Sequence, residues 1–237
     1  MHCSRTVSAV LTCAGSGTRF GSNKLLVELA GTTVLERTVR ALTGPPIDET
    51  IVVIDPRRHD EYAAVLEQAG LAATLVDGGP ERYLSAQRGL AATTGDIVLV
   101  HDGVRPFVSP RLIARVLDAA YEHGAAMAGT PTVVQLKLVD DNSFVTGSLD
   151  RSHSWLGQTP QAFRRELLEQ AYAQAAAQAY ARVSDDADLV AEYTGTPVKI
   201  VLGDDWNIKI TTPPDLLLAE QIVQRLEAGA LIGASAA

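Results

Sequence analysis

Short, nearly continuous apolar runs alternate along this chain with stretches whose apolar residues recur at helical spacing. Val7 to Cys13 is such a run and predicts a strand buried on both faces, followed by a glycine-rich turn. From Thr33 to Leu42, the positions Val34, Leu35, Thr38, Val39 and Leu42 share a face and predict a helix. The same rhythm predicts strands at Glu49 to Asp55, Ala73 to Val76 and Asp96 to His101. Helices are predicted at Asp60 to Gly70, with Gly70 as a C-cap, and at Glu81 to Ala92. This alternation predicts an α/β fold built on a doubly wound, mostly parallel sheet. Ligands of such sheets sit at the carboxyl ends of the strands.

After Ala125 the pattern changes. Ala126 to Gly147 holds two β-rich segments around the turn-forming Asp140-Asp141-Asn142, which predicts a protruding hairpin arm. Leu167 to Arg182 is alanine-rich and predicts a helix, Val198 to Leu202 a strand, and Pro213 to Leu226 a closing helix with proline in its first turn. The tail after Gly229 predicts a frayed end, and no internal repeat interrupts the chain.

Composition narrows the function. A net charge of −8 and a pI near 5.1 argue against a nucleic-acid surface, which needs a basic face. An acidic protein that binds polyphosphate must concentrate its cations locally, so the positions of Arg and Lys carry information. The two cysteines, Cys3 and Cys13, match no metal or redox spacing. No signal-peptide pattern opens the chain, and no run approaches the roughly 18 apolar residues of a membrane span. These features predict a cytoplasmic protein.

Five clusters carry candidate chemistry. Ala14-Gly15-Ser16-Gly17-Thr18-Arg19-Phe20-Gly21, with Lys24, follows the first strand. Its glycines allow backbone N–H groups to approach a phosphate, and Arg19 and Lys24 add charge; the spacing is neither the dinucleotide nor the Walker pattern. His101-Asp102-Gly103-Val104-Arg105-Pro106 closes another strand. There Asp102 is a candidate Mg²⁺ ligand, because Mg²⁺ takes one or two carboxylates plus substrate phosphates, and Arg105 is a candidate phosphate holder. His101 reads as structural. Lys209, in an apolar β-like segment from Asn207 to Pro213, must find an anion or reach water. Asp150-Arg151, with Gln158-Thr159-Pro160-Gln161, reads as a polar loop. Ser184-Asp185-Asp186-Ala187 reads most simply as a helix N-terminus.

In this order and spacing, these segments resemble the 2-C-methyl-D-erythritol 4-phosphate cytidylyltransferase family and its ribitol-5-phosphate relatives, from Val7 to about Val223. The resemblance implies a single Rossmann-like nucleotidyltransferase domain over 1–228, with a dimerisation arm at about 130–150 and a tail at 229–237. It implies that Ala14, Gly15, Ser16, Gly17 and Thr18 bind the nucleotide and that Arg19, Lys24 and Lys209 are the catalytic cations, Arg19 wrapping the triphosphate, Lys24 on the phosphates at its reacting end and Lys209 on the α-phosphate. Gly79 and Ser85 align with the segment that reads the cytosine. Asp102 is implied to face metal and acceptor, while Arg105, Gln135, Arg151 and Ser184 serve the acceptor. CTP, a small phosphorylated acceptor, Mg²⁺ and a homodimer complete what the resemblance implies. Catalysis would be positioning and electrostatics around an in-line attack on the α-phosphorus.

Three departures from the family pattern stand out. Asn23-Lys24-Leu25-Leu26 replaces the usual Pro-Lys-Gln. Pro80 stands where a polar residue is usual and removes a backbone donor. Val134-Gln135 replaces an Asp-Thr pair on the arm, a change that bears on acceptor recognition. The alternatives are therefore ribitol 5-phosphate, another polyol phosphate or a phosphonate as acceptor. A different base, or a nucleotide-binding protein without catalysis, are the two remaining readings.

Overall fold

The computed structural model describes residues 5–15, 23–178, 180 and 184–229. Cys3, the loop positions Ser16, Gly17, Thr18 and Arg19, and the tail beyond Gly229 lie outside the described residues.

The apolar runs form the centre. Among the described residues, β1 (Val7–Thr12), β4 (Glu49–Ile54), β5 (Thr74–Asp77), β6 (Ile97–Asp102), β7 (Ala125–Pro131), β10 (Trp155–Arg164) and β11 (Lys199–Leu202) make one sheet. Its order is β11-β7-β10-β6-β1-β4-β5, and β10 alone among these strands runs antiparallel to its neighbours. The expected doubly wound, mostly parallel α/β sheet is present. Alternate residues of each inner strand feed opposite layers, as the pleat requires. Ala9, Leu11, Val52, Ile54, Ile97 and Leu99 join the core beneath α1 (Val34–Ala41), α2 (His59–Gln68) and α4 (Pro110–His123). Val10, Ile51, Val53, Val98 and Val100 join the core beneath α3 (Arg82–Ala91), α5 (Arg165–Ala177) and α6 (Asp186–Thr194). With both faces covered, neither parity can be polar, which explains the unbroken apolar runs.

Helix ends follow local chemistry. Thr33 caps α1 by accepting from Glu36 N, and Ser109 caps α4 by accepting from Leu112 N. Gly70 takes a positive φ of 63° just beyond α2, as its C-cap reading requires. The helix α7 (Pro213–Glu227) closes a third core with Leu29, Phe107 and Ile210. Leu29 belongs to a small hairpin formed by β2 (Glu28–Leu29) and β3 (Thr32–Thr33).

Several expectations need correction. Ala125–Pro131 belongs to the central sheet and not to the arm. The arm is a separate two-stranded ribbon, β8 (Lys137–Val139) against β9 (Val145–Ser148), around the Asp140 turn. The Asp140 carboxylate accepts from Asn142 N and Phe144 N there. Gln158 to Gln161, expected as a loop, lies within β10, where the register shifts between Gly157 and Gln161. Lys209 lies in an irregular segment outside any strand.

Candidate active site

The order of the sheet reverses between β1 and β6, the place where open α/β sheets bind ligands. A cavity of about 660 Å³ opens there. Its wall is made from the carboxyl ends of four strands: Thr12 to Gly15 after β1, Asp55 to Arg57 after β4, Gly78 to Arg82 after β5, and Asp102 at the end of β6. Lys24, Ser85, Val104, Lys209 and Thr211 complete it along with Leu25.

Asp102 is the most deeply buried carboxylate of this wall. Lys209 Nζ lies 2.9 Å from its Oδ2, Arg105 Nε 3.3 Å from the same oxygen, and Arg82 Nε 3.7 Å from Oδ1. Burial alone would raise its pKa, but Lys209, then Arg82 and Arg105, hold it well below the ordinary carboxylate range. Asp102 therefore stays ionised at physiological pH. His101, one residue earlier, is fully buried; its ring nitrogens meet Arg105 O and Thr159 Oγ1, each at 3.0 Å. Burial pushes its pKa down to about 4, so it is a neutral structural residue, as its sequence reading has it.

The glycine turn after β5 is held against the glycine-rich segment after β1. Ser85 Oγ accepts from Gly79 N at 3.1 Å, and Gly78 N donates to Ile54 O at 2.7 Å. A Cβ added at Gly78 would lie 2.3 Å from the Ala14 Cβ and 3.0 Å from both Ile54 O and Ser85 Oγ. Overpacking of this kind costs about 1–3 kcal/mol. Gly78→Ala is accordingly expected to lower stability by about that amount, read by a thermal melt, and to raise the KM for a nucleotide bound against the displaced turn, read by steady-state kinetics. An unchanged KM would separate this turn from nucleotide binding.

The chain matches the 2-C-methyl-D-erythritol 4-phosphate cytidylyltransferase family (IspD) over residues 7–225. The chain belongs to this family. The protein of that name from Pelotomaculum thermopropionicum is 41% identical over 226 residues, covering 92% of this chain and 94% of the relative. Among solved structures, the 4-diphosphocytidyl-2C-methyl-D-erythritol synthase of Anaerococcus prevotii superposes with a TM-score of 0.80 at 34% identity, covering 94% of this chain and all of that one. The Thermus thermophilus cytidylyltransferase does so with a TM-score of 0.77 at 36% identity, covering 92% and 99%.

Within one chain, the structure gathers Ala14, Gly15, Lys24, Gly79, Ser85, Asp102 and Lys209 around one cavity. Other expected residues lie elsewhere. Arg105, expected on the acceptor phosphate, does not line the wall. It is buried, bridging Asp102 and the Asn207 carbonyl at 2.8 Å, and so supports Asp102 from behind. Gln135 and Arg151 are exposed beside the arm, and Ser184 is exposed before α6, bonded to Asp188. The sequence reading missed Arg82, which lines the cavity and joins two buried carboxylates.

A divalent ion would find few protein ligands in this wall. No group of three or more His, Cys, Asp or Glu gathers among the described residues. Asp102 could therefore contribute one carboxylate while triphosphate oxygens and water supply the rest, which suits Mg²⁺ better than an ion caged by protein ligands. Cys13, also in the wall, is kept protonated: burial first, and then the Asp102 charge, push its thiol up.

Proposed function

We propose that this chain transfers the cytidylyl group of CTP to 2-C-methyl-D-erythritol 4-phosphate and releases pyrophosphate, working as a homodimer with Mg²⁺. The observation that carries this reading is the Lys209–Asp102–Arg82 cluster at the sheet's switch point, in one cavity with the glycine turns. A phosphate oxygen of the acceptor attacks the α-phosphorus. The new P–O bond forms as the bond to the bridging oxygen breaks, and that electron pair leaves with pyrophosphate.

The attacking oxygen is already anionic, so the chain needs no strong base. What it supplies is position and positive charge. Lys209 pairs with Asp102 before nucleotide arrives; a short swing carries its Nζ to the α-phosphate while Arg105 and Arg82 keep Asp102 compensated. Arg19 wraps the triphosphate, and Lys24 meets the phosphates at its reacting end. Gly79 and Ser85 face the base. Mg²⁺ held by Asp102 would offset triphosphate charge and favour departure of pyrophosphate.

The arm supports the dimer. Val133 is 85% and Phe144 71% exposed, and Leu138, Val139, Val145, Trp155 and Leu156 add apolar surface beside them. An isolated ribbon with such a surface lacks the burial it needs in water. A second copy of the arm would cover it and carry Gln135 and Arg151 towards the neighbouring acceptor site.

Pyrophosphate release with CTP and Mg²⁺ tests the reading, with methylerythritol phosphate, ribitol 5-phosphate and a phosphonate panel side by side. Turnover with methylerythritol phosphate is expected. Turnover only with another acceptor would make the exposed Val134-Gln135 pair a determinant of changed specificity. Silence with every acceptor would favour a nucleotide-binding protein without catalysis.

A further inference from the structure

From Arg82 in the cavity wall a charged cluster runs back to Asp186, a side of it that the transfer chemistry leaves unused. Arg82 opens α3, and its Nη1 donates to Asp186 Oδ2 at 2.7 Å while its Nε faces Asp102. Asp186 is only 1% exposed, and Oδ1 accepts from the Tyr172 hydroxyl at 2.6 Å. It is the first residue of α6, two positions after Ser184. The same helix start is held from β10: Gln161 Nε2 donates to Asp185 Oδ2 at 2.8 Å, and its Oε1 accepts from Ala187 N at 3.0 Å.

Stability is a weak reason for such a cluster. A cation in the first turn of a helix opposes the helix dipole, and apolar residues of similar volume commonly replace a buried ion pair without loss. Specific placement is the better reason. Arg82 has a planar fork that can address two carboxylates from one side chain. One of its partners is the reactive-site Asp102, and the other begins the helix that follows Ser184.

We propose that Arg82 is a positioning residue of the transfer reaction: through Asp186 it fixes the start of α6, and with it Ser184, against the nucleotide-facing turn from Gly78 to Ser85. This rests on the cytidylyl-transfer reading and on Ser184 serving the acceptor. Two consequences follow. Loosening the Asp186 end frees the acceptor side while Arg82 still holds Asp102. Loosening Arg82 disturbs both sides.

The test is steady-state pyrophosphate release by the full chain with CTP and methylerythritol phosphate, beside calorimetric CTP binding without acceptor. Asp186→Asn keeps the shape of the side chain and removes its charge. It is expected to raise the acceptor KM about tenfold or more while the KM and Kd for CTP stay within about threefold. Arg82→Lys, whose point charge cannot bridge two carboxylates, is expected to lower kcat as well. Should Asp186→Asn fail to fold, Tyr172→Phe leaves the ion pair standing and is expected to raise the acceptor KM about fivefold or more while the KM and Kd for CTP stay within about twofold. Parallel shifts for both substrates, or an unchanged acceptor KM in folded variants, would overturn the proposal. A wild-type chain that turns over no acceptor would overturn it together with the functional reading; wild-type turnover with parallel shifts would overturn it alone.

Discussion

Lys209→Ala is expected to lower kcat by roughly 100- to 1000-fold, the range seen when one preorganised charge or donor is taken from a reacting centre. The geometry argues for the upper part of that range. Lys209 Nζ is 2.9 Å from Asp102 Oδ2, yet the side chain is 41% exposed, so it is anchored at the wall and open to the cavity. Arg105 and Arg82 remain on Asp102 when the lysine leaves, so its movement to an incoming phosphate strands no buried charge. The triphosphate thus competes with Asp102 for this cation. Arg105 could not serve this way, because it is buried and also bridges the Asn207 carbonyl. The variant should keep a CTP Kd much closer to wild type than its kcat, since charge growing on the α-phosphate in the transition state is what Lys209 meets. Lys209→Arg should recover only part of the loss, because a planar fork does not reproduce a compact ammonium. A kcat within about threefold of wild type, in a folded variant, would remove Lys209 from the reacting centre.

What could be read from the sequence, and what could not, divides along a physical line. β1, β4 and β6 were legible because both faces of each are covered, leaving an apolar run no loop would carry. Asp102 and the glycine segments were legible because strand ends in such sheets are where ligands sit, and the chain departs from apolar character there. β10 reads as a loop because its polar residues have partners far away in the chain. Gln158 bonds Asp204 through both its amide nitrogen and its oxygen, Thr159 Oγ1 accepts from Asp102 N, and Gln161 holds the start of α6. A strand interior tolerates such residues only when tertiary contacts satisfy them, and sequence spacing does not report those contacts. The helix α4, absent from the elements expected above, carries its own signals in Ser109 as cap and Pro110 in the first turn.

Arg82 is the most instructive omission. Its partner Asp186 lies 104 residues away, so no local pattern links them. A weaker signal was present: an arginine in a first helical turn faces the wrong end of the helix dipole and calls for a carboxylate nearby. Ser184-Asp185-Asp186, by contrast, reads correctly as a helix start, with Asp185 accepting from Asp188 N. The second role of that start, as the far anchor of Arg82, emerges only when the two helices are brought together.

Two variants that fail alone should restore each other when combined. Arg151 lies in the short turn Arg151–His153, exposed beside the arm and apart from the cavity of its own chain. If it serves the acceptor phosphate of a second copy, Arg151→Ala should lose activity on the order of 100-fold, as should Lys209→Ala. In a two-fold dimer each acceptor site then draws Lys209 from one chain and Arg151 from the other. A mixed dimer of the two variants contains one site with both residues and one with neither. Random reassortment makes half of the dimers mixed, so co-refolding equal amounts should recover about a quarter of wild-type turnover. The measurement is pyrophosphate release from the mixture, with differently tagged chains to verify that mixed dimers form. Mixed dimers that stay silent would place Arg151 in the service of its own chain or of none. An active Arg151→Ala would remove it from the acceptor site altogether. Recovery near a quarter would instead place Arg151 of one chain in the acceptor site that holds Lys209 of the other, a pairing the arm's exposed apolar face, Phe144 and its neighbours, is suited to support.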